Sequence, residues 1–472
     1  MNAPIRSSRA ESGFSLIELL IAVLIAIEIL VAAAIAFDVH NRAAVVQTQV
    51  TDLQQSLRVA QYDMARLLRM AGRGGLPKDQ RPAAVFVPAA PVPELAGLAL
   101  EIRNNVTDAT DRHIARGDNS SPQALEGTDI LTVRGCFSGS VYQLQTNVFV
   151  PVDTDVPPDD LGDGTVSFTI ENVSTANISQ PLAPLIEQLN VANARSTMIF
   201  LSPVSRRTYG VGRVTQFSPT SGNPTQLQVT VDIDPDDRSS SLNQEIPRPA
   251  PYSDLKRGMP ATMSAALACL LEEYRYYVQE VHEVPGDTTT PLRPRLTRAR
   301  FEPGTELPYA NDPASFALDL ADGVFDLQVA LGFDSDFPAT DPNTVGALDD
   351  DPDFDGVDDT IFEAALGTND RDTDDWLYND PGDDPTDGEW RLHDHITQPG
   401  KAVKLTWVRV TTLARTQRGD PSYQAPDFDA TPGTDLVEDH DYDQAPASQF
   451  KSLDNRKFRR RALTTIVDMR ND

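Results

Sequence analysis

The sequence has few basic residues for the number of acidic ones. Lys and Arg total 40 against 70 Asp and Glu, which leaves a formal net charge of −30. Nucleic acids and anionic membrane surfaces attract basic patches, so this balance argues against both as partners. The 36 prolines and 27 glycines among 472 residues favour a body rich in loops and turns over a helical bundle.

Familiar catalytic motifs are also missing. The chain has no G-x-S-x-G, no H-E-x-x-H and no phosphate-binding glycine loop, and its six histidines show no partner pattern. We therefore expect a protein that is not an enzyme. Cysteine is limited to Cys136 and Cys269, which in an exported protein could form one disulfide or remain two separate buried thiols.

One long apolar run stands out against this background. Residues 14–37 read FSLIELLIAVLIAIEILVAAAIAF, about the length that a membrane-spanning helix needs. The run nevertheless contains Glu18 and Glu28. A carboxylate at that depth costs on the order of 3 kcal/mol unless it finds a partner, which indicates a functional group. A short leader, residues 1–13, precedes the run, carries two arginines and ends in glycine.

The junction between leader and run has a recognisable pattern, Gly13 followed by Phe14 and by Glu18 four positions later. It resembles the class III signal of type IV prepilins and type II secretion pseudopilins. The resemblance implies that a prepilin peptidase cleaves after Gly13 and methylates the amino group of Phe14. It also implies that Glu18 pairs with the cationic amino terminus of a neighbouring subunit. The alternatives are an ordinary signal anchor, or a secretory signal, which has a shorter apolar core and a small-residue cleavage site after it.

The helical pattern continues through residues 38–75. Its apolar residues recur every three or four positions, at Val46, Val50, Leu53, Leu57, Ala60, Met64, Leu67, Leu68 and Ala71. Gly72, Gly74 and Gly75 are expected to end the helix. The pattern predicts one helix that is apolar in its first half and amphipathic in its second, packed against a globular body.

Segments at both ends of the chain extend the resemblance. Residues 49–75 (VTDLQQSLRVAQYDMARLLRMAGRGG after Gln49) and residues 458–472 (FRRRALTTIVDMRND) resemble the helix and the closing strand of PilW-type minor pilins and the related GspJ-type pseudopilins. Residues 323–336 and 403–415 fit the two preceding strands. The implied fold is α+β and type IV pilin-like, a long amino-terminal helix packed on an antiparallel β-rich head with loop insertions.

Short runs of β-forming residues separated by turn residues fill the middle of the chain. They predict strands at residues 130–133, 141–150, 166–170, 198–202, 210–217, 226–233, 273–281 and 295–301. The expected organisation is a leader (1–13), a transmembrane half-helix (14–37), an amphipathic half-helix (38–75), a β-rich head (76–336), an Asp-rich insert (337–400) and the last strands of the head (401–472).

The insert contains an acidic segment, residues 349–389, with 17 Asp or Glu and one basic residue. Acids alternate before Gly356, as in loops that bind calcium through 6 to 8 oxygen ligands. The segment is similar to the thrombospondin-type-3-like acidic repeats of bacterial surface proteins, with one extra residue between Gly356 and Gly367. The expected calcium ligands are Asp351, Asp353, Asp355, Asp359, Glu363, Asp370, Asp372 and Asp374. The alternative is a solvated, self-repelling loop.

These resemblances predict a PilW-like minor pilin. It would be held in the inner membrane by a single pass with its head in the periplasm. It would then join the pilus at the cell surface, with other minor and major pilins as partners and roles in pilus priming, adhesion or motility. A type II secretion pseudopilin is one alternative. A calcium-dependent adhesin carried on a pilin stalk is another.

The calcium prediction can be tested on the soluble part of the chain that follows residue 37. An ion that binds only the folded head stabilises it by about 2.7 kcal/mol at a hundredfold excess over Kd. We expect calorimetry to detect binding at submillimolar to millimolar calcium, and the melting temperature to rise with it. Both effects should disappear when Asp351, Asp353 and Asp355 are changed to Asn; absence of binding to the unaltered head at millimolar calcium would leave a plain acidic loop.

Overall fold

The fold is described from a computed structural model. It describes residues 15–74, 76, 99–106, 112–115, 118–138, 141–149, 165–171, 174–175, 178–179, 182–191, 196–201, 209–219, 226–232, 264–284, 287–309, 317–335, 376–377, 403–416, 419, 436–437, 440–441 and 457–469. The chain divides into two compact units, Met1–Asp52 and Leu53–Asp472. The described residues form one long apolar amino-terminal helix and a head of mostly antiparallel sheet, so the fold class is α+β.

Helix α1 spans Leu16–Arg69 without interruption. Its 54 residues include neither proline nor glycine, the two residues that most disfavour a helix interior. The first half is long and apolar enough to cross a membrane, and none of its most apolar 18-residue window is buried. A membrane anchor is therefore consistent with its length and composition.

The second half of α1 buries one face in the head. The buried positions recur every three or four residues and include three adjacent pairs; they are Leu53, Leu57, Ala60, Gln61, Met64, Ala65, Leu67 and Leu68. The apolar members belong to the stripe that the sequence predicts, except for Ala65, and the predicted Val46 and Val50 are only half-buried. Beyond Arg69 the chain turns through Gly72 and Gly74, whose positive φ angles of 74° and 106° are readily adopted by glycine.

In its described residues, the head contains a short helix and eighteen strands. Helix α2 is Ala183–Val191. The strands are β1 (Leu100–Val106), β2 (Thr128–Gly135), β3 (Tyr142–Phe149), β4 (Thr165–Glu171), β5 (Ser174–Thr175), β6 (Ile178–Ser179), β7 (Thr197–Leu201), β8 (Tyr209–Pro219), β9 (Gln226–Asp232), β10 (Ser264–His282), β11 (Leu292–Phe301), β12 (Ala317–Asp322), β13 (Val324–Ser335), β14 (Trp376–Leu377), β15 (Val403–Arg415), β16 (Leu436–Val437), β17 (His440–Asp441) and β18 (Arg460–Asp468).

Strand β10 joins two parts of the head. The amino-terminal part of its 19 residues pairs with β3 on one side and β7 on the other, whereas the part from Glu272 onward pairs with β2 and β11. Strands β1 and β12 extend this second part, through β2 and β11 respectively. Its five strands, in the order β1, β2, β10, β11 and β12, form the main sheet. Every one of these pairings is antiparallel.

A closed barrel results from the first part of β10. The hydrogen-bonded order runs β10, β3, β4, β9, β8 and β7 and returns to β10, so six strands form a ring. A barrel of this size is filled by its own side chains. Phe168 and Phe200 meet inside at a centroid distance of 4.8 Å, and Leu185 and Leu189 of α2 belong to the same core.

A second sheet carries the late strands in the order β14, β13, β15 and β18. Its buried residues share one core with β1, β2, β10 and the carboxyl-terminal half of α1. Gln61 of α1 reaches this sheet: its side-chain Nε2 donates to the Leu463 carbonyl at 2.6 Å, and its Oε1 accepts from the Thr465 hydroxyl at 2.7 Å. The helix thus satisfies polar groups of β18 while packing on the sheet.

The strand predictions largely match the observed elements. Every one of the eight runs predicted in the middle of the chain overlaps a strand, and the three late segments correspond to β13, β15 and β18. The sequence analysis missed β1, β12, the first half of β10, helix α2 and the two-residue strands β5, β6, β14, β16 and β17. The spacing of Leu182, Leu185, Ile186 and Leu189 is a helical signal that could have revealed α2.

Candidate functional site

The amino-terminal end of α1 is capped by side chains of its own first residues. The backbone N–H of Ser15 donates to Glu18 Oε2 at 3.0 Å, and the N–H of Ile17 donates to the Ser15 hydroxyl at 3.3 Å. Leu19 N–H makes a first helical bond to the Ser15 carbonyl at 3.1 Å. A serine followed three residues later by a glutamate that bonds back to it is a capping box. Glu18 therefore has a partner within its own chain.

The surroundings of Glu18 are almost entirely apolar. Large exposed side chains cover the helix from its start to Val39, among them Leu16, Ile17, Leu19, Leu20 and Ile21. Glu28 lies within the same surface. Water or a polar partner would stabilise both carboxylates, and hydrocarbon would not.

Other predicted site residues lie outside the described part of the chain. These are the processing residues Gly13 and Phe14 and the eight expected calcium ligands, Asp351, Asp353, Asp355, Asp359, Glu363, Asp370, Asp372 and Asp374. Within the described residues no group of three or more His, Cys, Asp or Glu is placed to hold a metal ion. The calcium site stays a prediction.

The two ends of the insert are nevertheless fixed. Strands β13 and β15 pair along their whole lengths, and the pairing ends at Ser335 opposite Val403. Residues 336–402 therefore leave and re-enter the sheet at neighbouring positions. Within this stretch, Trp376 and Leu377 form β14, which pairs with Gly332 and Leu331 of β13.

A buried ion network crosses the strands of the main sheet. Arg134 of β2 donates through Nε to Glu273 Oε2 at 2.6 Å and through Nη2 to Glu101 Oε2 at 2.6 Å. Arg275 donates through Nε to the second oxygen of Glu273 at 2.9 Å and also pairs with Glu306. Arg134, Glu273 and Arg275 are all buried, so the charges depend on one another.

Arg275 of this network and Arg103 of β1 also hold backbone that lies outside the strands. Arg275 donates to the carbonyls of Ile114 and Thr305, and Arg103 of β1 donates to the carbonyls of His113 and Ile114 at 2.7 and 3.0 Å. The network therefore orders backbone outside the sheet as well as the strands in it.

The network sets the charge state of its carboxylates. Burial alone would raise the pKa of Glu273, but the guanidinium groups of Arg134 and Arg275 outweigh it and hold that pKa below the ordinary 4.5 of a glutamate. The pKa of Glu101 is lowered in the same way, again against the effect of burial, chiefly by Arg134. Both carboxylates are thus kept ionised in the interior.

A second polar group links the barrel to the main sheet. Glu272 Oε2 accepts from the backbone N–H and the hydroxyl of Ser138 at 2.6 and 2.7 Å, and Gln188 of α2 donates to the same hydroxyl at 2.9 Å. Tyr274 donates to the other oxygen of Glu272 at 3.1 Å. These bonds fasten α2 to the middle of β10.

A third pair attaches α1 to the sheet. Arg298 of β11 donates to both carboxylate oxygens of Asp63, at 2.8 and 2.7 Å, and Tyr276 donates its hydroxyl to the same carboxylate at 2.9 Å. Burial, followed by the charge of Asp63, raises the pKa of Tyr276 well above its usual value. The tyrosine therefore remains a hydrogen-bond donor.

Sequence reasoning did not identify these networks. In the segment Glu272-Glu273-Tyr274-Arg275, charged residues occupy both faces of a predicted strand. A strand buried on both faces is ordinarily a near-continuous hydrophobic run, so this local pattern would indicate exposure and gives no sign of a buried network. The partners on β1, β2 and β11 are set by strand order, which the local sequence does not encode.

Comparisons of the chain with protein-family models, with curated proteins and with solved structures found no match.

We expect the buried ion network to make a large contribution to the stability of the folded protein. Changing Glu273 to Gln leaves Arg134 and Arg275 without their shared charge and should cost about 3–5 kcal/mol at pH 7. Since the folded-state pKa of Glu273 is depressed, its contribution is fully present above pH 4.5 and is lost as the pH falls toward the folded value.

Urea unfolding measured between pH 7 and pH 3 provides the test. The unaltered protein should lose stability below pH 4.5, and the Glu273→Gln variant should lose less over the same interval. Glu187→Gln, on an exposed position of α2, is the matched control and should behave like the unaltered protein. Equal stability of the two variants at pH 7 would contradict the role given to the network.

Proposed function

We propose that the chain is a structural subunit of a type IV pilus, a minor pilin of the PilW type. The observation that carries the proposal is α1 itself. One uninterrupted helix has an exposed apolar first half with a carboxylate near its start, and a second half with a buried stripe on an antiparallel head. A helix of this kind serves both as a membrane anchor and as the rod by which heads are stacked in a filament.

Glu18 would be the assembly contact. Cleavage after Gly13 would leave Phe14 as the new amino terminus, one residue ahead of the helix-capping Ser15. The amine of a neighbouring subunit would then supply the cation that an acid in hydrocarbon needs. A carboxylate has two oxygens, and the capping box uses Oε2, so the intrachain bond and an intersubunit pair can coexist. The better-attested effect of such a buried pair is to fix register rather than to add stability.

The membrane and cell-surface locations follow from the same proposal. The helix would hold the subunit in the inner membrane before assembly, with the head in the periplasm, and the pilus would carry it to the surface afterwards. Its partners would be the prepilin peptidase and other minor and major pilins. A pseudopilin of type II secretion would use the helix in the same way and differs only in the filament that it joins.

A calcium-dependent adhesin carried on this helix is the second candidate. It is favoured by the place of the acidic insert, whose two ends meet at Ser335 and Val403 on the head. An ion held there at extracellular concentrations would stiffen a long excursion outside the cell, where affinities of about 10⁻⁴–10⁻³ M suffice. Loss of attachment with intact pili would favour the adhesin, and loss of pili would favour the assembly subunit.

Processing is the direct test of the proposal. When the full chain is co-expressed with a prepilin peptidase, we expect mass spectrometry to detect a product that lacks residues 1–13 and carries one added methyl group on Phe14. Gly13→Val should abolish this cleavage, because the peptidase cuts after a glycine. Ser12→Ala, one position earlier, is the control and should be cleaved normally. Cleavage after the apolar run instead, near residues 32–34, would identify an ordinary secretory signal.

The charge of Glu18 can be tested apart from its capping role. Glutamine also closes a capping box, so Glu18→Gln keeps the helix start and removes only the charge. In a piliated host that lacks its own copy of the subunit, we expect this variant to be cleaved but to lose most crosslinks to other pilins. Glu28→Gln, deeper in the same apolar surface, is the matched control. Crosslinking of Glu18→Gln at the unaltered level would contradict the proposed contact.

A further inference from the structure

The turn that ends α1 lies directly on the disulfide between Cys136 and Cys269. Both cysteines are completely buried. Gly74 adopts a φ of 106°, and a Cβ added to it would lie only 2.5 Å from Cys136 Sγ and 2.8 Å from Cys269 Sγ. A side chain therefore has no room at this position, and the glycine backbone covers the two bonded sulfurs.

Backbone hydrogen bonds fasten the same turn to the end of β2. Gly72 N–H donates to the Arg134 carbonyl at 3.0 Å, and Cys136 N–H donates to the Arg73 carbonyl at 2.8 Å. Between these two bonds, a Cβ on Gly135 would lie 2.8 Å from the Met70 carbonyl oxygen. The turn and the strand thus approach each other closely at two glycines, one on each side of the contact.

We infer that the disulfide is a redox latch, which allows the end of α1 to close onto the head and releases it on reduction. Two bonded sulfurs lie within bonding distance, whereas two thiols need a van der Waals separation that is about 1.5 Å larger. Gly74 lies directly against both sulfurs, in space that the separated sulfurs would need, and Ile199 borders the same position at 3.1 Å from a Cβ built on Gly74. Reduction therefore displaces the turn formed by residues 70–74.

The redox chemistry requires a dithiol–disulfide partner. On reduction the Cys136–Cys269 bond takes up two electrons and two protons, and a dithiol reductant becomes a disulfide. On formation the two cysteines give up the same electrons and protons to an oxidising protein disulfide. Because the closed turn covers both sulfurs, the oxidant has to reach them while the turn is open. In the unaltered chain, the end of α1 therefore packs stably on the head only when the two cysteines are oxidised to the disulfide. This holds whether or not the chain is a pilin.

Hydrogen exchange of the full chain in detergent tests this latch. The amides of Gly72 and Cys136 cross the contact, so we expect them to exchange at least tenfold faster in the dithiothreitol-reduced protein than in the oxidised one. The amides of β11 should keep their protection in both states. The double variant Cys136→Ala/Cys269→Ala lacks both the crosslink and the bulk of the thiols, and should exchange at these two amides much closer to the oxidised rate.

A further variant opens the turn without altering a sulfur. Gly74→Ala places a Cβ against the disulfide and should speed exchange of the same two amides in the oxidised protein. Three outcomes would overturn the latch: equal protection of Gly72 and Cys136 in the oxidised and reduced proteins, opening of the double alanine variant to the same extent as the reduced protein, or equal loss of protection throughout the head on reduction.

Discussion

The pairing of Glu273 with Arg134 and Arg275 is the interaction on which the head depends most. Strand β10 belongs to the closed barrel through its first half and to the main sheet through its second, and these charges lie where the second half begins. A buried charge is tolerated only when its partners are in place, so the register of β2 against β10 is tied to the network. A slip of β2 by one residue against β10 would place Arg134 and Glu273 on opposite faces and break that pair, whereas Arg275, on the same strand as Glu273, would move with it.

Helix α1 meets a different constraint, because it presents two kinds of surface along one axis. Its first half carries apolar side chains all around, as expected for a helix in lipid, and its second half carries one apolar stripe. The polar contacts of the second half are made by Asp63 and Gln61, and both reach strands of the head rather than water. The docking of the helix is therefore directional, which apolar packing alone would not ensure.

Local sequence predicted the elements far better than their arrangement. The period of three and four residues revealed α1, and alternation in segments such as 226–232 revealed the strands, because both patterns depend on neighbours a few positions apart. Closure of the barrel joins Leu267–Leu271 to Thr197–Leu201, and the pairing of Asp63 with Arg298 spans 235 residues. Such contacts depend on strand order. The processing signal could be predicted because Gly13, Phe14 and Glu18 lie within six positions, whereas the turn on the disulfide joins three distant segments.

Two long segments of the chain have ends that lie close together in the head. The barrel strands β3 to β9 lie between Cys136 and Cys269, which are bonded to each other, and residues 336–402 lie between Ser335 and Val403, which face each other in the sheet. Each of these segments therefore begins and ends at neighbouring positions of the head. The entropic free-energy cost of closing a flexible loop rises by only about 0.6 kcal/mol for each doubling of its length. Long segments are inexpensive once their ends are fixed, and the ends here are fixed by a covalent bond in one case and by an eleven-pair strand register in the other.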